Sequence, residues 1–207
     1  MIKDIFATPI AFCKWTHDPS VIERLRDVCM RAGEDGKTRY FEFTDFPGED
    51  AALFRKWILE KSRQYAIDIG RSSGYVVLQD AWVRVIRNPV NTVPMHHHSE
   101  AWCVGTFYFT SGGGDIMLAD PRGYIGEFER GRVLDAENRP HGICNDFYYT
   151  PEQNTAIIFP GYLRHMVHSS KDSNPRTRIA LSWNVRFTDN DNFIHTFQLD
   201  SSRYMRL

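Results

Sequence analysis

The most informative pattern in the chain is an alternation of side-chain character over residues 177–187. Odd positions hold Thr, Ile, Leu, Trp, Val and Phe, whereas even positions hold small or polar residues from Arg178 to Arg186. Because a β-strand points alternate side chains to opposite faces, one face of this strand should pack on an apolar layer. In an ordinary sandwich the polar face would meet water. In a barrel with helices packed outside, it would face the cavity, and Arg178 would be a buried cation that needs an anion.

Short runs rich in β-branched and aromatic residues recur after residue 73, separated by Gly, Pro, Asn and Asp. They predict strands at 74–86, 101–110, 114–120, 155–160 and 176–187. Two amphipathic helices are predicted before them. The first spans 18–33, with Asp18 as its cap, and the second follows "FPGEDAA" and ends at Gly70. Two helices followed by many short strands predict a mainly β fold, a barrel or sandwich with the helices packed outside.

Three adjacent histidines in "PMHHHSEAW" are the main candidates for chemistry. On extended backbone, His96 and His98 point to the same side, where two imidazoles can share a metal. A third ligand is available in His165, which follows a Phe-Pro-Gly turn, and Arg178 comes thirteen residues later. A histidine pair, a distant histidine and then an arginine is the order found in non-heme iron enzymes that use 2-oxoglutarate. In those enzymes the arginine grips the far carboxylate through a bidentate fork.

Composition narrows the function classes further. The net charge is −1 and Lys and Arg form no block, so nucleic-acid binding has no electrostatic support. No apolar run approaches the length of a membrane span, and the N-terminus does not have the pattern of a signal peptide. The four cysteines are scattered without close pairing, which is typical of reduced, buried thiols. We therefore expect a cytoplasmic protein.

The chain also resembles the iron(II)- and 2-oxoglutarate-dependent dioxygenases related to prolyl hydroxylases. The resemblance covers most of the chain and lies in "IFATPI", "AWVRVI", "HHHSEAWCVGTFYF", "DIMLADPRG", "IIFPGYLRHMVH" and "RIALSWNV". It implies the metal ligands His96, His98 and His165, and Arg178 as the residue that binds 2-oxoglutarate. It further implies Tyr108 as a hydrogen-bond donor to the same carboxylate, with Asn184 and Arg122 at further positions of the pocket.

The metal-binding register leaves one alternative open. Most enzymes of the wider superfamily use His-x-Asp or His-x-Glu, and here His98 falls where the acid belongs. Reading the motif as His98-Ser99-Glu100 would restore His-x-Glu. The spacing to "TFYF" favours His96 and His98, which would leave three neutral imidazoles around a dication. Trp82, Trp102 and Trp183 are interpreted as packing residues.

The sequence thus predicts a double-stranded β-helix, or jelly roll, braced by N-terminal helices. Residues 1–207 form one domain, with helical support at 1–73, the jelly-roll core at 74–190 and a C-terminal tail at 191–207. Residues 123–153 are predicted to be mostly loop and are long enough for a lid. A jelly roll of this kind often dimerises, so the sequence is compatible with a homodimer.

The predicted activity is oxidation of a C–H bond to C–OH by Fe(II), 2-oxoglutarate and O2, releasing succinate and CO2. The substrate, a peptide or a small molecule, is not defined by the sequence. One alternative is a cupin-type dioxygenase or isomerase without 2-oxoglutarate. It is disfavoured because a cupin has a glutamate several residues after its H-x-H pair, and here that region reads "AWCV". The other alternative is a non-catalytic jelly roll that binds a metal.

Overall fold

The computed structural model describes residues 7–32, 38–41, 48–87, 92–122, 146–168, 177–189 and 201–207. Its helices are α1 (Pro19–Ala32), α2 (Glu49–Asp68) and a short 3-10 helix (Ser201–Arg203). Its strands are β1 (Ala11–Lys14), β2 (Thr38–Phe41), β3 (Tyr75–Ile86), β4 (Val93–His96), β5 (Cys103–Tyr108), β6 (Ile116–Ala119), β7 (Asp146–Tyr149), β8 (Thr155–Pro160), β9 (His165–Val167), β10 (Arg178–Thr188) and β11 (Tyr204–Arg206).

A local sequence signal marks the start of α1 and another marks the end of α2, both close to where they were predicted. The Asp18 carboxylate accepts hydrogen bonds from the Ser20 backbone N–H (2.9 Å) and from the Ser20 hydroxyl (2.8 Å), and so caps α1. Beyond α2, Gly70 has φ +95°, a conformation that few other residues adopt, and its N–H donates to the Ile67 carbonyl. The predicted exit of α1 at Gly33 lies outside the described residues.

In the described part of the chain, two antiparallel sheets form the body of the fold. The larger has seven strands in the order β1-β8-β5-β10-β3-β11, with β2 also paired to β3. The smaller has four, in the order β4-β9-β6-β7. Neighbours in space are mostly distant in sequence, as expected when strands cross repeatedly between two sheets. This arrangement confirms the predicted mainly β jelly roll with N-terminal helices.

The two faces of β10 have different surroundings, as the alternating sequence predicted. Its odd residues Ile179, Leu181, Trp183 and Val185 are buried in a core that the larger sheet shares with α1 and α2. The Trp183 indole N–H donates to the Ser62 hydroxyl of α2 (3.2 Å), so helix and sheet are also joined by a buried hydrogen bond. The even residues of β10 face the smaller sheet.

A second apolar cluster fills part of the space between the two sheets. The larger sheet contributes Val104 and Phe159 to it, and the smaller sheet contributes Ile116 and Leu118. The space between the sheets is therefore apolar in one part, while the polar even face of β10 borders another.

Several short strands were not predicted. The C-terminal residues 204–206, assigned to a tail, form β11 and pair with β3. Residues 146–149, within the stretch predicted to be mostly loop, form β7 and pair with β6. Residues 123–145 of the predicted lid lie outside the described residues. No helix in the described part of the chain is long and apolar enough to cross a membrane.

The packing of Trp183 gives a test of the fold. Gly105 pairs directly with Trp183, and a Cβ atom added at residue 105 would overlap the Trp183 ring. Because that ring is fully buried, Gly105→Ala should lower the free energy of unfolding by about 1–3 kcal/mol, measured by urea denaturation. In a double-mutant cycle, Trp183→Phe should relieve part of that loss. Strictly additive effects of the two substitutions would contradict the described packing.

Candidate metal centre

Three imidazoles converge between the two sheets. His96 ends β4 and His165 begins β9, and the two residues are register partners in the smaller sheet. His98 lies two residues beyond the end of β4. One ligand nitrogen from each of His96, His98 and His165 can be chosen so that all lie within 4.8 Å of one another. The spacing suits a single metal ion bound by three side chains with further positions open.

Backbone carbonyls orient two of these rings. Nδ1 of His96 lies 2.8 Å from the Pro94 carbonyl oxygen, and Nδ1 of His165 lies 2.9 Å from the Leu163 carbonyl oxygen. Because a carbonyl oxygen only accepts, each Nδ1 carries the proton and donates it. The lone pair is then left on Nε2, which is the arrangement seen in metal-binding histidines whose other nitrogen is held by a second partner.

The third ring is fixed by its backbone and by stacking. The His98 N–H donates to the Gly161 carbonyl (2.9 Å), and a Cβ atom added at Gly161 would overlap the Ala101 carbonyl oxygen. Only glycine, which has no Cβ atom, allows the backbone at residue 161 to come this close to the Ala101 carbonyl. The indole of Trp82 stacks on His98 with ring centroids 5.4 Å apart, and His98 in turn lies nearly parallel to His165 at 5.2 Å. The His98 Nε2 atom is buried without a hydrogen-bond partner among the described residues.

Burial keeps two of these imidazoles, His98 and His165, neutral. Desolvation, reinforced by the neighbouring His96 and His97, lowers the pKa of His98 to about 4. Desolvation also lowers the pKa of His165 to about 3, although the hydrogen bond to the Leu163 carbonyl acts in the opposite direction. Both imidazoles are therefore unprotonated at neutral pH and available as ligands.

Glu100, the alternative ligand, lies away from the cluster. Its side chain is 86% exposed, and its carboxylate lies 4.0 Å from the Arg186 guanidinium. The turn at residues 99–100 directs the Glu100 side chain into solvent. The geometry thus brings together the three histidines and leaves the carboxylate in solvent.

A cavity of about 220 Å³ extends from the histidines between the sheets. Arg178 lines it and is only 3% exposed. Its guanidinium donates to the Gly114 carbonyl and lies 5.1 Å from the centroid of the Tyr108 ring. Burial lowers the pKa of Arg178 and raises the pKa of Tyr108 to about 12, with the Arg178 charge opposing the rise in Tyr108. The Tyr108 hydroxyl is buried and has no hydrogen-bond partner among the described residues.

The remaining candidates divide into two groups. Asn184 lines the cavity, and its Oδ1 atom is buried with no partner among the described residues. Arg122 instead forms a bidentate pair with the Asp120 carboxylate, at 2.9 Å and 2.5 Å, and is not among the residues that line the cavity. Sequence reasoning placed Asn184 and Arg122 together in the pocket, and only Asn184 lies there.

Two cavity residues were missed from the sequence. Trp82 was interpreted as a packing residue, yet it lines the cavity and stacks on His98. Arg84 also lines the cavity, on the same face of β3. Both residues could have been predicted from the stretch "AWVRVI" (81–86). Its odd positions are apolar and pack on the helices, so its even positions, which include Trp82 and Arg84, must face the cavity. The glycine of the Phe-Pro-Gly turn, Gly161, was noted without its part in holding His98.

The candidate site lies within a part of the chain that matches a known protein family. Residues 80–184, which include the candidate ligands and Arg178, match the family model described as "Putative 2OG-Fe(II) oxygenase". No curated protein is similar enough in sequence to match the chain.

Solved structures share the fold at low sequence identity. HygX from Streptomyces hygroscopicus with iron bound has a TM-score of 0.57 at 9% identity, over 86% of this chain and 82% of that one. A Pseudomonas putida prolyl-4-hydroxylase has a TM-score of 0.53 at 13% identity, over 86% and 93%. An oxidoreductase of the 2OG-Fe(II) oxygenase family from Burkholderia pseudomallei has a TM-score of 0.52 at 12% identity, over 84% and 82%.

The lowered histidine pKa values predict how the metal-free protein responds to acid. In the unfolded chain the imidazoles titrate near pH 6.5, so at lower pH the unfolded state binds protons that folded His165 does not. The free energy of unfolding should therefore fall as pH drops below 6.5, by up to about 1.4 kcal/mol per pH unit for His165. Urea denaturation between pH 7.5 and 5 measures this. His165→Gln should flatten the profile, whereas His97→Gln, at the exposed neighbour, should not. Parallel profiles for both variants would refute the assignment.

Proposed function

The chain belongs to the 2OG-Fe(II) oxygenase family, and we propose that His96, His98 and His165 hold its iron. It is an iron(II)- and 2-oxoglutarate-dependent dioxygenase, with 2-oxoglutarate and O2 as cosubstrates. Family membership confirms the predicted oxygenase, in preference to a cupin-type enzyme or a non-catalytic metal-binding module. The observation that carries the ligand assignment is the convergence of the three imidazoles on one point between the sheets.

The residues present fit the metal. Three nitrogen donors lie within reach of one ion, two rings are held by backbone carbonyls with Nε2 left for coordination, and the buried Nε2 of His98 has no other partner in the described structure. Imidazole is a suitable ligand for iron, and a three-ligand set leaves positions for a cosubstrate. With Glu100 in solvent, the proposed set is made of neutral ligands only.

We further propose that Arg178 binds the carboxylate of 2-oxoglutarate that lies farthest from the metal. A buried guanidinium beside a protein carbonyl keeps donors available for a bidentate carboxylate. The Tyr108 hydroxyl, buried next to Arg178 and without a partner in the described structure, would donate to the same carboxylate. Asn184, at another part of the same cavity wall, would complete the polar lining.

When bound, Fe(II) and 2-oxoglutarate supply the oxidation, in which O2 is consumed, 2-oxoglutarate yields succinate and CO2, and one oxygen atom enters a substrate C–H bond. The chain contributes orientation and exclusion of water. The carbonyl contacts of His96 and His165 fix the ring planes before the metal arrives. Trp82 covers one face of His98 and, with Ile86 and Val104, makes the cavity wall partly apolar.

The ligand set is tested by iron binding. His96→Ala, His98→Ala and His165→Ala should each weaken anaerobic Fe(II) binding by at least about a hundredfold, because each removes one of three donors. His97→Ala and Glu100→Ala are the matched controls and should bind iron as the unaltered chain does. Loss of iron in Glu100→Ala but not in His96→Ala would instead establish the His98, Glu100 and His165 set.

The cosubstrate site is tested by the visible metal-to-ligand charge-transfer band that forms when 2-oxoglutarate binds Fe(II) without O2. Arg178→Met should raise the Kd for 2-oxoglutarate by at least about tenfold, because it removes a buried charged partner, while Fe(II) affinity stays unchanged. Circular dichroism checks that the variant folds, and Arg178→Lys should restore part of the affinity. Unaltered 2-oxoglutarate binding in Arg178→Met would contradict the assignment.

A further inference from the structure

Two side-chain hydroxyls on the cavity wall are hydrogen-bonded to each other. Thr106 of β5 and Ser182 of β10 are register partners, both line the cavity, and their hydroxyl oxygens lie 2.9 Å apart. We call them the hydroxyl pair. One hydroxyl donates to the other, and neither side chain makes a further hydrogen bond among the described residues. The hydroxyl pair therefore keeps one proton that these residues leave without an acceptor.

The hydroxyl pair lies between the two ends of the proposed cosubstrate site. At one end, the Arg178 guanidinium lies 5.1 Å from the centroid of the Tyr108 ring. Tyr108 is two residues from the β5 member of the pair, and alternate residues of a strand are about 7 Å apart. At the other end, Trp82 lies in the same row of the larger sheet as the pair and stacks on the proposed ligand His98. The hydroxyl pair is thus at the metal end of this site.

The chemistry of 2-oxoglutarate matches a single free donor at this place. The molecule has a carboxylate at each end and offers only hydrogen-bond acceptors. When it binds a metal through its keto oxygen and one oxygen of the 1-carboxylate, the second oxygen of that carboxylate can still accept a hydrogen bond. A hydrogen bond from a hydroxyl to a carboxylate is charge-assisted, and it is roughly twice as strong as one between neutral groups. Thr106 is only 7% exposed, and a buried donor normally has a partner.

We propose that the hydroxyl pair binds the 2-oxo acid end of 2-oxoglutarate by donating its free proton to the 1-carboxylate, while Arg178 binds the other end. The inference rests on the proposed function, because it takes the iron at the three histidines and the far carboxylate at Arg178. Thr106 and Ser182 are then cosubstrate-binding residues. With donors at both ends, the cavity holds the cosubstrate in one orientation.

The first test removes both hydroxyls together. In Thr106→Val/Ser182→Ala no buried donor or acceptor loses its partner, so the fold should be kept, as circular dichroism checks. Fe(II) is bound without O2, and 2-oxoglutarate is titrated through its visible charge-transfer band. The double variant should raise the Kd for 2-oxoglutarate by at least about tenfold, because a hydrogen bond to a charged group is lost, with Fe(II) affinity unchanged.

Two further variants control for other effects of the substitutions. Thr106→Ser keeps both hydroxyls and should retain most of the affinity for 2-oxoglutarate. Thr106→Ala/Ser182→Ala leaves more room in the cavity than the first double variant does. It should show the same loss of affinity, which separates the missing hydrogen bond from crowding by the introduced valine.

A second titration identifies the end of the molecule that the hydroxyl pair contacts. 2-Oxovalerate keeps the 2-oxo acid and the five-carbon chain, but it has a methyl group in place of the far carboxylate. Loss of both hydroxyls should weaken its binding by about the same factor as that of 2-oxoglutarate, since both compounds make the same contact. Arg178→Met should weaken the binding of 2-oxoglutarate only.

Three outcomes overturn the inference. An unchanged Kd for 2-oxoglutarate in both double variants would show that the hydroxyl pair does not contact it. Weaker 2-oxoglutarate binding with unchanged 2-oxovalerate binding would place the pair at the far carboxylate, and loss of Fe(II) would place it in the metal centre. Failure of the unaltered chain to bind 2-oxoglutarate is read in the first titration, before any variant is compared. That result would overturn the proposed function, and the inference with it.

Discussion

The pairing of β3 with β10 is the constraint on which the rest of the structure depends. It runs over the whole length of β10, and each strand gives one face to the helices and the other to the cavity. A slip of one residue would move Trp183 toward the cavity and Arg178 toward the helical core, so the apolar packing and the polar site are specified by the same register. The helices contribute no residue to the cavity lining, yet by burying the odd face they fix which side chains face the metal centre.

The proposed binding of 2-oxoglutarate at Arg178 is supported by the surroundings of that residue. Arg178 is removed from water, which costs several kcal/mol, and the Gly114 carbonyl, the Tyr108 ring and the charge of Asp115 offset part of that cost. Glu100, the acidic residue closest in sequence to the histidines, points into solvent. The proposed metal ligands are neutral, and the described residues that line the cavity include no aspartate or glutamate, which suits the proposed binding of the 2-oxoglutarate carboxylates there.

The fold and most of the candidate site could be predicted because the relevant signals are local. Alternation in β10 is a property of one strand, and it placed Arg178 correctly in the cavity. The choice between His96 and Glu100 is not local, because either spacing puts two residues on one side of an extended chain. The proposal of His96 depends on the turn after β4, where the His98 N–H donates to the Gly161 carbonyl and the Glu100 side chain lies in solvent. The role of Trp82 was missed for a similar reason, since its stacking partner comes from another element. The short strands β7 and β11 depend on the partners β6 and β3 more than on their own few residues.

The carbonyl contacts of the histidines have a consequence for how the enzyme is assembled. In His98 and His165 burial has already removed the proton that free imidazoles share with solvent near neutrality, and in His96 and His165 the tautomer is set by the backbone. If His98 and His165 are ligands as proposed, metal uptake at these two residues displaces no proton at neutral pH. At these two proposed ligands, loading would then depend on the concentration of free ferrous ion and not on the removal of a proton from the ring.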